Sequence, residues 1–542
     1  MRDLDHRRLA GSDKLAADYV EKEPTGWSSV PQEESTAYNP GEHLELTRSN
    51  QSSASENEDK LPLVQCLKLY PKIVAYCMAM TIPIIGWGYD LVIVGAVTGV
   101  ESFLKDYGTN IKGAQAIPGN WLTLWMALSP AGSALGAVIC GWLQDRIGRK
   151  YSLMLGSLIS ATAISCLTLQ GLSVGIIKTT CLTWVSENSP TALRGPAMAL
   201  FPTFTLIGQL IGAVVVFVVN KVESSTGYLG AFGSQWILCL GPFILPCIMP
   251  DSPAYLIRAG KEHQALKSAI RLFAPKANPH VVLERIRHTI EEEKANATSA
   301  NYWTCFSGVD RRRTLIVILA NIFPALFGLD LLSNYVPFLQ SFGMESNTSL
   351  MLQIFGIVGG MIANGIGFWL LSRTGRRNMT MISMSVTGFL WGAMGVTGFW
   401  SSPILTYVAG GIMIGVIVVC GLGYWPAGYA IMGEASSLQL RALTQGVGGV
   451  AAQGSSISIA VILPQLFGRD KAALGAKTGF VFCGLSAIGV LMTWLWIPEM
   501  KGRSIQELDY MFKMKLPTRE FKKKKIEAYE IQEISPLEEN ER

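Results

Sequence analysis

Apolar residues occur in twelve long runs along this chain, and polar residues are concentrated between the runs and at both ends. The first six runs cover 72–99, 120–143, 152–169, 171–187, 196–219 and 234–250. After a charged segment, six more cover 314–341, 349–371, 380–400, 403–433, 445–468 and 474–497. Most approach the ~20 residues that a helix needs to cross the hydrocarbon core of a bilayer. Because backbone groups find no water there, the pattern predicts an all-α membrane protein with twelve transmembrane helices in two six-helix halves.

The polar segments divide the chain into parts with different expected environments. We expect a disordered cytoplasmic tail at 1–66, since its Ser-, Glu-, Pro- and Asn-rich composition cannot form an apolar core. It contains no signal-peptide segment, so the first apolar run is expected to act as an uncleaved insertion signal. The other expected parts are a six-helix bundle, a cytoplasmic loop with intracellular helices, a second six-helix bundle and a cytoplasmic C-terminal tail, at 67–250, 251–313, 314–497 and 498–542.

Basic residues are unevenly shared between the two sets of loops. Loops on one side contain the basic segments 145–150 and 373–377 and the region 251–313, whereas loops on the other side are shorter and poorer in charge. Lys and Arg accumulate in cytoplasmic loops, so we expect the basic side to be cytoplasmic. An even number of spans then places both termini in the cytoplasm.

Composition excludes several classes of function. Of 542 residues, 49% are apolar and only 16% are charged, whereas soluble domains carry about 25% charged residues. The net charge of +5 indicates no nucleic-acid partner. Most of the ten cysteines lie in apolar runs and all five histidines lie outside them, and no nucleotide or hydrolase motif is present. We therefore expect no metal, no cofactor and no enzymatic activity.

The two halves of the chain repeat the same motifs in the same order. The segment GWLQDRIGRK at 141–150 matches LLSRTGRR at 370–377, and ENSPTALRG at 187–195 matches EASSLQLRA at 434–442 with identical Glu-to-Arg spacing. Two such repeats predict two bundles related by an axis along the membrane normal, with a binding site between them.

These motifs resemble the sugar porter family of the major facilitator superfamily. They include GYD at 88–90, the DRIGRK loop, E-x-x-P-x-x-x-R-G from residue 187 and P-E-x-K-G-R at 498–503. The stretch at 474–512 is very similar to fungal α-glucoside (maltose-type) permeases. The resemblance implies a secondary transporter that works by alternating access at the plasma membrane.

The resemblance also implies that charged residues at the cytoplasmic helix ends hold the outward-facing state together. The residues assigned this gating role are Asp145, Arg146, Arg149, Glu187, Arg194, Arg373, Arg376, Glu434 and Arg441. The alternative is that these charges only set the topology, but the recurrence of the acid–base spacing in both halves favours gating. Ser372 stands where the first half has Asp145, which predicts a weaker second gate.

Asp90 is a carboxylate inside an apolar run, IIGWGYDLVIVGAV at 84–97. An ionised carboxylate in hydrocarbon costs at least ~2.5 kcal/mol, so we expect Asp90 to face a water-accessible passage shared by the two halves. It could bond the substrate, carry a proton or be structural. In the proton-coupled porters that the chain resembles, the matching Asp carries the proton beside an Arg; the corresponding position here is Leu167. Asp90 is therefore a proton-coupling candidate without the usual cation.

Sugar recognition requires polar groups for the hydroxyls and aromatic faces for the ring. The resemblance assigns substrate binding to Gln209, Asp330, Asn334, Tyr335, Trp425, Tyr429 and Gln453. The seventh span departs from the family, because Pro324 and Ala325 replace paired glutamines and Asp330 replaces an Asn. A site that binds sugar hydroxyls loses affinity when its polar partners are removed. The substrate could therefore also be a cationic or weakly polar molecule.

The sequence thus predicts a secondary active transporter of an α-glucoside or hexose, with proton-coupled uptake. Its expected partners are the sugar, protons and membrane lipids, and we expect a monomer. The alternatives are a family member with an altered substrate, either a secondary-metabolite exporter or an uncoupled facilitator, and a non-transporting sugar sensor. Asn347, in the sequon NTS, is a glycosylation candidate on the outer side.

Overall fold

The computed structural model describes residues 63–521 with short gaps, so most of the two predicted tails lies outside the described residues. The gaps are 112–113, 164–165, 191–192, 194–196, 199, 276–277, 298–301, 342, 401, 437–439, 469 and 504. Regular structure in the described part is helical apart from one antiparallel pair of short strands, β1 (Thr109–Ile111) and β2 (Ala114–Ala116). The predicted all-α class is confirmed.

Six spanning helices form the first half. Helix 1 comprises Pro71–Ala79 and Thr81–Ala96, helices 2 and 3 lie within Gly119–Thr162, helix 4 is Leu167–Asn188, helix 5 is Phe201–Val219 and helix 6 is Gln235–Ile248. Helices 2 and 3 follow each other without a separate loop, because the only non-helical backbone between them is at Gly148 (φ 84°, ψ 173°). The basic loop predicted there is thus a single sharp turn.

The second half contains the other six spans. Helix 7 comprises Asp310–Phe327, Leu329–Ser333 and Tyr335–Ser341, helix 8 is Ser346–Thr374, helix 9 is Arg376–Thr397, helix 10 comprises Pro403–Leu422 and Tyr424–Ala435, helix 11 is Arg441–Phe467 and helix 12 is Thr478–Trp496. The first break in helix 7 is at Gly328, whose φ is 79°. A Cβ there would come within 2.9 Å of the Phe482 ring, so this break requires glycine.

The described helices add up to twelve membrane spans. Nine helical stretches of the described chain meet the length and apolarity needed, and one of them, Gly119–Thr162, holds two spans. Helix 4, which carries charged residues, and the interrupted helix 7 complete the set. The predicted number of transmembrane helices is therefore confirmed.

Other helices precede, connect or follow these spans. They are Leu63–Leu69, Glu101–Tyr107, Thr226–Gly233, Pro253–Arg258, Glu262–Phe273, Pro279–Ala297 and Ile505–Lys513. In the charged middle segment, Leu256 and Leu272 are buried in one apolar cluster with Tyr70 and Ile73 of the first half. The middle segment is therefore attached to the first half by apolar packing.

The two halves meet at the side of the membrane opposite residues 63 and 521. We call these faces the far side and the tail side. On the far side, the Gln340 amide donates to the carbonyl of Gly99 at 2.7 Å, and the Gly119 backbone N–H donates to Asp470 at 3.0 Å. Near mid-span, the Gln453 amide donates to Ser133 at 3.2 Å. The Asn364 amide of helix 8 also donates to the Thr203 hydroxyl, near the tail-side end of helix 5, at 3.0 Å, so bonds between the halves extend from the far side past the middle of the helices.

Helices 1 and 5 approach each other through glycine. A Cβ on Gly88 would overlap the backbone carbonyl of Thr205, and a Cβ on Gly208 would overlap that of Ile85. Small residues allow spanning helices to pack at backbone contact, where apolar area alone gives no driving force in lipid. This packing fixes the part of helix 1 that carries Asp90.

Candidate translocation site

Asp90 is held by two neutral amides from neighbouring helices. The Gln170 amide of helix 4 donates to its Oδ2 at 2.8 Å, and the Gln235 amide of helix 6 donates to its Oδ1 at 3.0 Å. Both glutamines are 2% exposed. Gln170 lies three residues, about one turn, beyond Leu167, so the absent cation is replaced by neutral donors that the sequence interpretation missed. A polar residue in an apolar run was the available signal.

A small cavity adjoins Asp90. It has a volume of about 20 Å³, and its lining includes Trp87, Ser157, Ser160 and Gln235. This exceeds the ~10–15 Å³ that one water requires, and the lining supplies polar partners. Every lining residue belongs to the first half, so this cavity is not the passage shared by the two halves that was expected beside Asp90. The two amides turn the carboxylate toward helices 4 and 6 instead.

Lys178 is a second charged residue within the first half. Its Nζ lies 4.3 Å from the centroid of the Trp87 ring, and Trp87 also lines the cavity. A cation over an aromatic face is stabilised by about 0.5–2 kcal/mol. The sequence interpretation included Lys178 in an apolar run and missed it, although the rule that identified Asp90 applies equally to any charge at membrane depth.

Asp330 lies on the short middle segment of helix 7. Its Oδ1 accepts a hydrogen bond from the Ser456 hydroxyl of helix 11 at 2.7 Å. Asn334 donates to the backbone carbonyl of Asp330 at 2.9 Å, and its Oδ1 lies beside Gly95 of helix 1. Both predicted residues thus occur at the interrupted part of helix 7, and Asn334 lies where the halves touch.

Three predicted substrate residues have side chains that their described neighbours leave partly free. Gln209 is half-buried and makes no hydrogen bond to another described residue. Tyr429 is 39% exposed, and Trp425 packs against apolar clusters that contain residues of both halves. An unused amide and two aromatic rings are the groups that sugar binding requires.

Two other predicted substrate residues are already engaged. Tyr335 is fully buried, and its hydroxyl donates to the carbonyl of Gly410 at 2.7 Å. Gln453 forms the bond to Ser133 that joins helices 11 and 2. In this conformation Tyr335 stabilises the packing of helices 7 and 10 and is not open to a ligand.

At the tail side of the first half, Arg149 pairs with Glu187 at 2.5 Å. Asp251 accepts hydrogen bonds from the backbone N–H groups of Arg149 and Lys150 at 3.2 and 3.4 Å. Burial raises the pKa of Asp251, and these backbone donors oppose the shift. The turn at Gly148 brings the Arg149 backbone to Asp251 and its side chain to Glu187.

The second half repeats this arrangement. Arg376 forms a two-pronged pair with Glu434, with its shortest contact at 2.7 Å. Glu499 accepts from the Arg376 backbone N–H at 2.9 Å, beside the turn at Gly375 (φ 90°). Two predicted gating residues in each half are therefore paired within that half.

The other described gating candidates are exposed or stack on tryptophan rings. Asp145 and Arg146 are exposed, and Arg146 stacks over Trp142 at 4.5 Å instead of pairing with Glu187. Arg373 stacks in the same way over Trp369 at 4.5 Å. Of the basic residues in this loop that were candidates to pair with Glu187, Arg149 makes the contact, because the turn at Gly148 redirects the chain. Arg194 and the side chain of Arg441 lie outside the described residues.

Asn347 lies in the first turn of helix 8 and not in an extended loop. Its Oδ1 accepts a hydrogen bond from Asn220 at 2.9 Å, and Ser349 of the sequon is fully buried. This bond joins the halves on the far side, and glycosylation of Asn347, which is exposed, stays a prediction.

Comparisons with known proteins agree with this architecture. A family model described as "Sugar (and other) transporter" matches residues 74–512. The maltose permease MAL61 of Saccharomyces cerevisiae is 26% identical over 509 residues, which cover 90% of this chain and 83% of that protein. The MFS transporter fmqE of Aspergillus fumigatus is 25% identical over 461 residues, which cover 81% and 85%.

A solved structure shares the fold. The proton:xylose symporter XylE of E. coli, bound to 6-bromo-6-deoxy-D-glucose, superposes with a TM-score of 0.64 at 16% identity. The match covers 82% of this chain and 99% of that structure. At this identity the likeness concerns the fold alone, which is that of the major facilitator superfamily.

Proposed function

This chain belongs to the family of sugar and other transporters of the major facilitator superfamily, and from that premise we propose that it takes up an α-glucoside or hexose together with a proton. It is a multi-pass membrane transporter and not an enzyme, since its relatives are permeases and transporters. The proposed location is the plasma membrane, with both termini in the cytoplasm.

The environment of Asp90 supports proton coupling. A carboxylate in a span, bonded to two amides and next to a cavity large enough for one water, can gain and lose a proton without a protein cation. Burying a charge at this depth is costly, so such a group marks function more often than packing. XylE, which has the same fold, is itself described as a proton symporter.

The proposed sugar site uses Gln209, Trp425 and Tyr429. The Gln209 amide is unused by described neighbours, and the two rings lie partly open on helix 10. An amide can bond sugar hydroxyls while aromatic faces cover the apolar side of the ring. The similarity to a maltose permease favours an α-glucoside.

Rigid-body rocking of the halves is the proposed motion. Hydrogen bonds join the halves on the far side, whereas the Arg149–Glu187 and Arg376–Glu434 pairs each lie within one half. Breaking the far-side bonds would open that side while each half keeps its own ion pair. Such rocking around a site near the midplane is alternating access.

Uptake of labelled maltose and glucose into cells that lack sugar transporters tests this proposal. We expect accumulation above the outside concentration, and its loss on adding a protonophore. Cells without the transporter are the control. Accumulation that is insensitive to the protonophore would contradict proton coupling, and equilibration without accumulation would indicate a facilitator.

A second candidate function is transport of a different substrate, including export. The seventh span lacks the paired glutamines, and Asp330 introduces a carboxylate held only by Ser456 among described side chains. The matching family model is described as one of sugar and other transporters, which also allows a non-sugar substrate. Efflux of a panel of cationic and weakly polar metabolites from loaded vesicles, without sugar uptake, would favour this candidate. No flux in either direction would favour the sensor.

A further inference from the structure

The two amides around Asp90 have unused capacity. The side-chain oxygens of Gln170 and Gln235 are buried and have no hydrogen-bond partner. A buried amide oxygen without a partner costs roughly 1–3 kcal/mol, so its retention at this position needs a reason. A protonated Asp90 has one O–H donor, which could satisfy the oxygen of one of the two amides.

The two glutamines are not equivalent. The Gln170 amide nitrogen donates both to Asp90 at 2.8 Å and to the Ser160 hydroxyl at 3.2 Å, which uses both of its hydrogens. Gln235 makes only its bond to Asp90 among described residues, and it lines the cavity. Gln170 is therefore fixed in orientation, whereas the Gln235 amide has space beside it to rotate.

We propose that Gln170 and Gln235 form a neutral clamp that serves Asp90 in both of its protonation states. With the carboxylate ionised, both amides donate to it. When water in the cavity delivers a proton, an O–H bond forms on Asp90, and the Gln235 amide rotates so that its oxygen accepts that O–H. On release, the O–H bond breaks, the proton returns to water and the amide rotates back. This inference rests on the proton coupling proposed above.

Other titratable groups nearby have different partners. The Tyr89 hydroxyl of helix 1 pairs with Ser234, and the Cys239 thiol of helix 6 pairs with Ser160 of helix 3. Lys178 of helix 4 lies over Trp87. No ion pair to Asp90 is formed among the described residues, so the clamp has to work through neutral groups.

Carbodiimide labelling of Asp90, followed by mass spectrometry over a pH series, tests the clamp without any substrate. The reagent modifies the protonated carboxyl, so the midpoint of labelling reports proton occupancy. Gln170→Met removes a donor to the ionised form while keeping the shape, and we expect the midpoint to move up by about one pH unit. Gln170→Lys supplies a cation and is expected to move it down.

Gln235→Met tests the rotating amide. Because this residue serves both forms, its loss is expected to move the midpoint less than Gln170→Met does. The matched control is Gln144→Met: Gln144 is a 3% exposed amide of helix 2 that bonds Cys140 and Thr180, and its loss is expected to leave the midpoint unchanged.

The outcomes separate this inference from the proposed function. Unchanged midpoints in both Gln170 variants, with normal membrane levels, would overturn the clamp even if uptake is proton-coupled. A Gln235→Met shift as large as that of Gln170→Met would show a second fixed donor and overturn the rotation. Midpoints that move as expected in a protein that transports no sugar would leave the clamp intact and overturn only the proposed substrate.

Discussion

At the tail side, the two halves of the molecule use the same local design. In each half, a glycine with positive φ lies directly before the third helix. These glycines are Gly148 before helix 3 and Gly375 before helix 9. The next arginine pairs with a glutamate at the end of the fourth helix of that half, and a carboxylate after the last helix accepts the arginine's backbone N–H. The repeat seen in the sequence is therefore a repeat of contacts.

The interiors differ. Gly88-Tyr89-Asp90 in helix 1 and Gly328-Leu329-Asp330 in helix 7 occupy similar places, but helix 1 continues through its motif and helix 7 breaks there. Counting back 17 residues from Glu187 reaches Gln170, whereas the same count from Glu434 reaches Ile417. Counting back 15 from Pro250 reaches Gln235, and from Pro498 it reaches Cys483. The second half thus lacks both amides of the clamp.

This contrast suggests a division of roles. The tail-side ion pair and the glycine turn occur in both halves. Each half needs them for the same reason, because they hold its helices together as one body. The interior polar groups differ, with the proposed proton site in the first half and a carboxylate with fewer hydrogen bonds, Asp330, in the second. The two aspartates are therefore expected to respond differently to the same substitution.

Asp90→Asn should produce the largest effect. Asparagine cannot carry the proton, so accumulation should fall to the outside concentration while counterflow exchange of sugar persists. Asp330→Asn should keep accumulation and change the KM, since the sequence assigns this residue to substrate binding and not to proton coupling. Accumulation and exchange in vesicles, normalised to membrane level, measure both.

A reversal of these two results would break the contrast. If Asp330→Asn abolished accumulation and Asp90→Asn retained it, coupling would belong to the second half and the role given to the clamp would be wrong. Equal loss of accumulation in both would mean that the halves share the proton.

Next in size is the loss of a tail-side ion pair. In the first pair the Arg149 side chain is 4% exposed and Glu187 15%, whereas in the second Arg376 and Glu434 are 19% and 26% exposed. Removing one partner of a buried pair costs ~3–5 kcal/mol, and the cost falls with exposure. Arg149→Met should therefore lower the melting temperature in detergent more than Arg376→Met.

The double variant Arg149→Met/Glu187→Met is the control, because it removes both buried members of the pair and costs only the longer 3.9 Å contact of Glu187 with the exposed Arg258, so it should recover part of the loss. A larger loss for Arg376→Met than for Arg149→Met would contradict the inferred order of burial.

The sequence predicted those features that depend on one residue, one apolar run or one repeated motif. Twelve apolar runs predicted twelve spans, and the cost of a charge in lipid identified Asp90. The matching Glu-to-Arg spacing predicted that the two halves repeat each other, with Glu187 and Glu434 at corresponding positions. Each of these inferences needs only the identity and spacing of residues along the chain.

Partners across helices could not be read in the same way. Gln170 and Gln235 are 65 positions apart in the chain and meet at Asp90 only because helices 1, 4 and 6 pack together. The choice of Arg149 over Arg146 as the partner of Glu187 depends on a single backbone turn at Gly148. Tyr335 begins the third segment of helix 7, after a break, and its hydroxyl donates to the carbonyl of Gly410. A family pattern does not reveal how such a break orients the side chain.

Substitution of the two turn glycines should produce a smaller effect, similar in both halves. Gly148 (φ 84°, ψ 173°) and Gly375 (φ 90°, ψ 159°) occupy a region that other residues enter at a cost of ~1–3 kcal/mol. An added Cβ would also lie 2.5 Å from Asp251 and 2.6 Å from Glu499, respectively. Gly148→Ala and Gly375→Ala should each lower the melting temperature. Gly141→Ala, where a Cβ meets nothing within 4 Å, is the control, and an equal loss there would contradict this account.

The smallest expected effect is a pH dependence at Asp251 in the tail-side cluster of the first half. Burial raises the pKa of Asp251, so the folded protein binds this proton more tightly than the unfolded chain does. The stabilising contribution of the Asp251 proton to the free energy of unfolding is therefore full at pH values below the ordinary aspartate pKa, near 3.9. It is lost as the pH rises through the raised pKa of the folded protein. Melting temperatures over a pH series should show wild type losing stability relative to Asp251→Asn as pH increases. Asp145→Asn, an exposed carboxylate on the same side, controls for charge removal, and a relative gain of wild-type stability with rising pH would mean that the backbone donors outweigh burial.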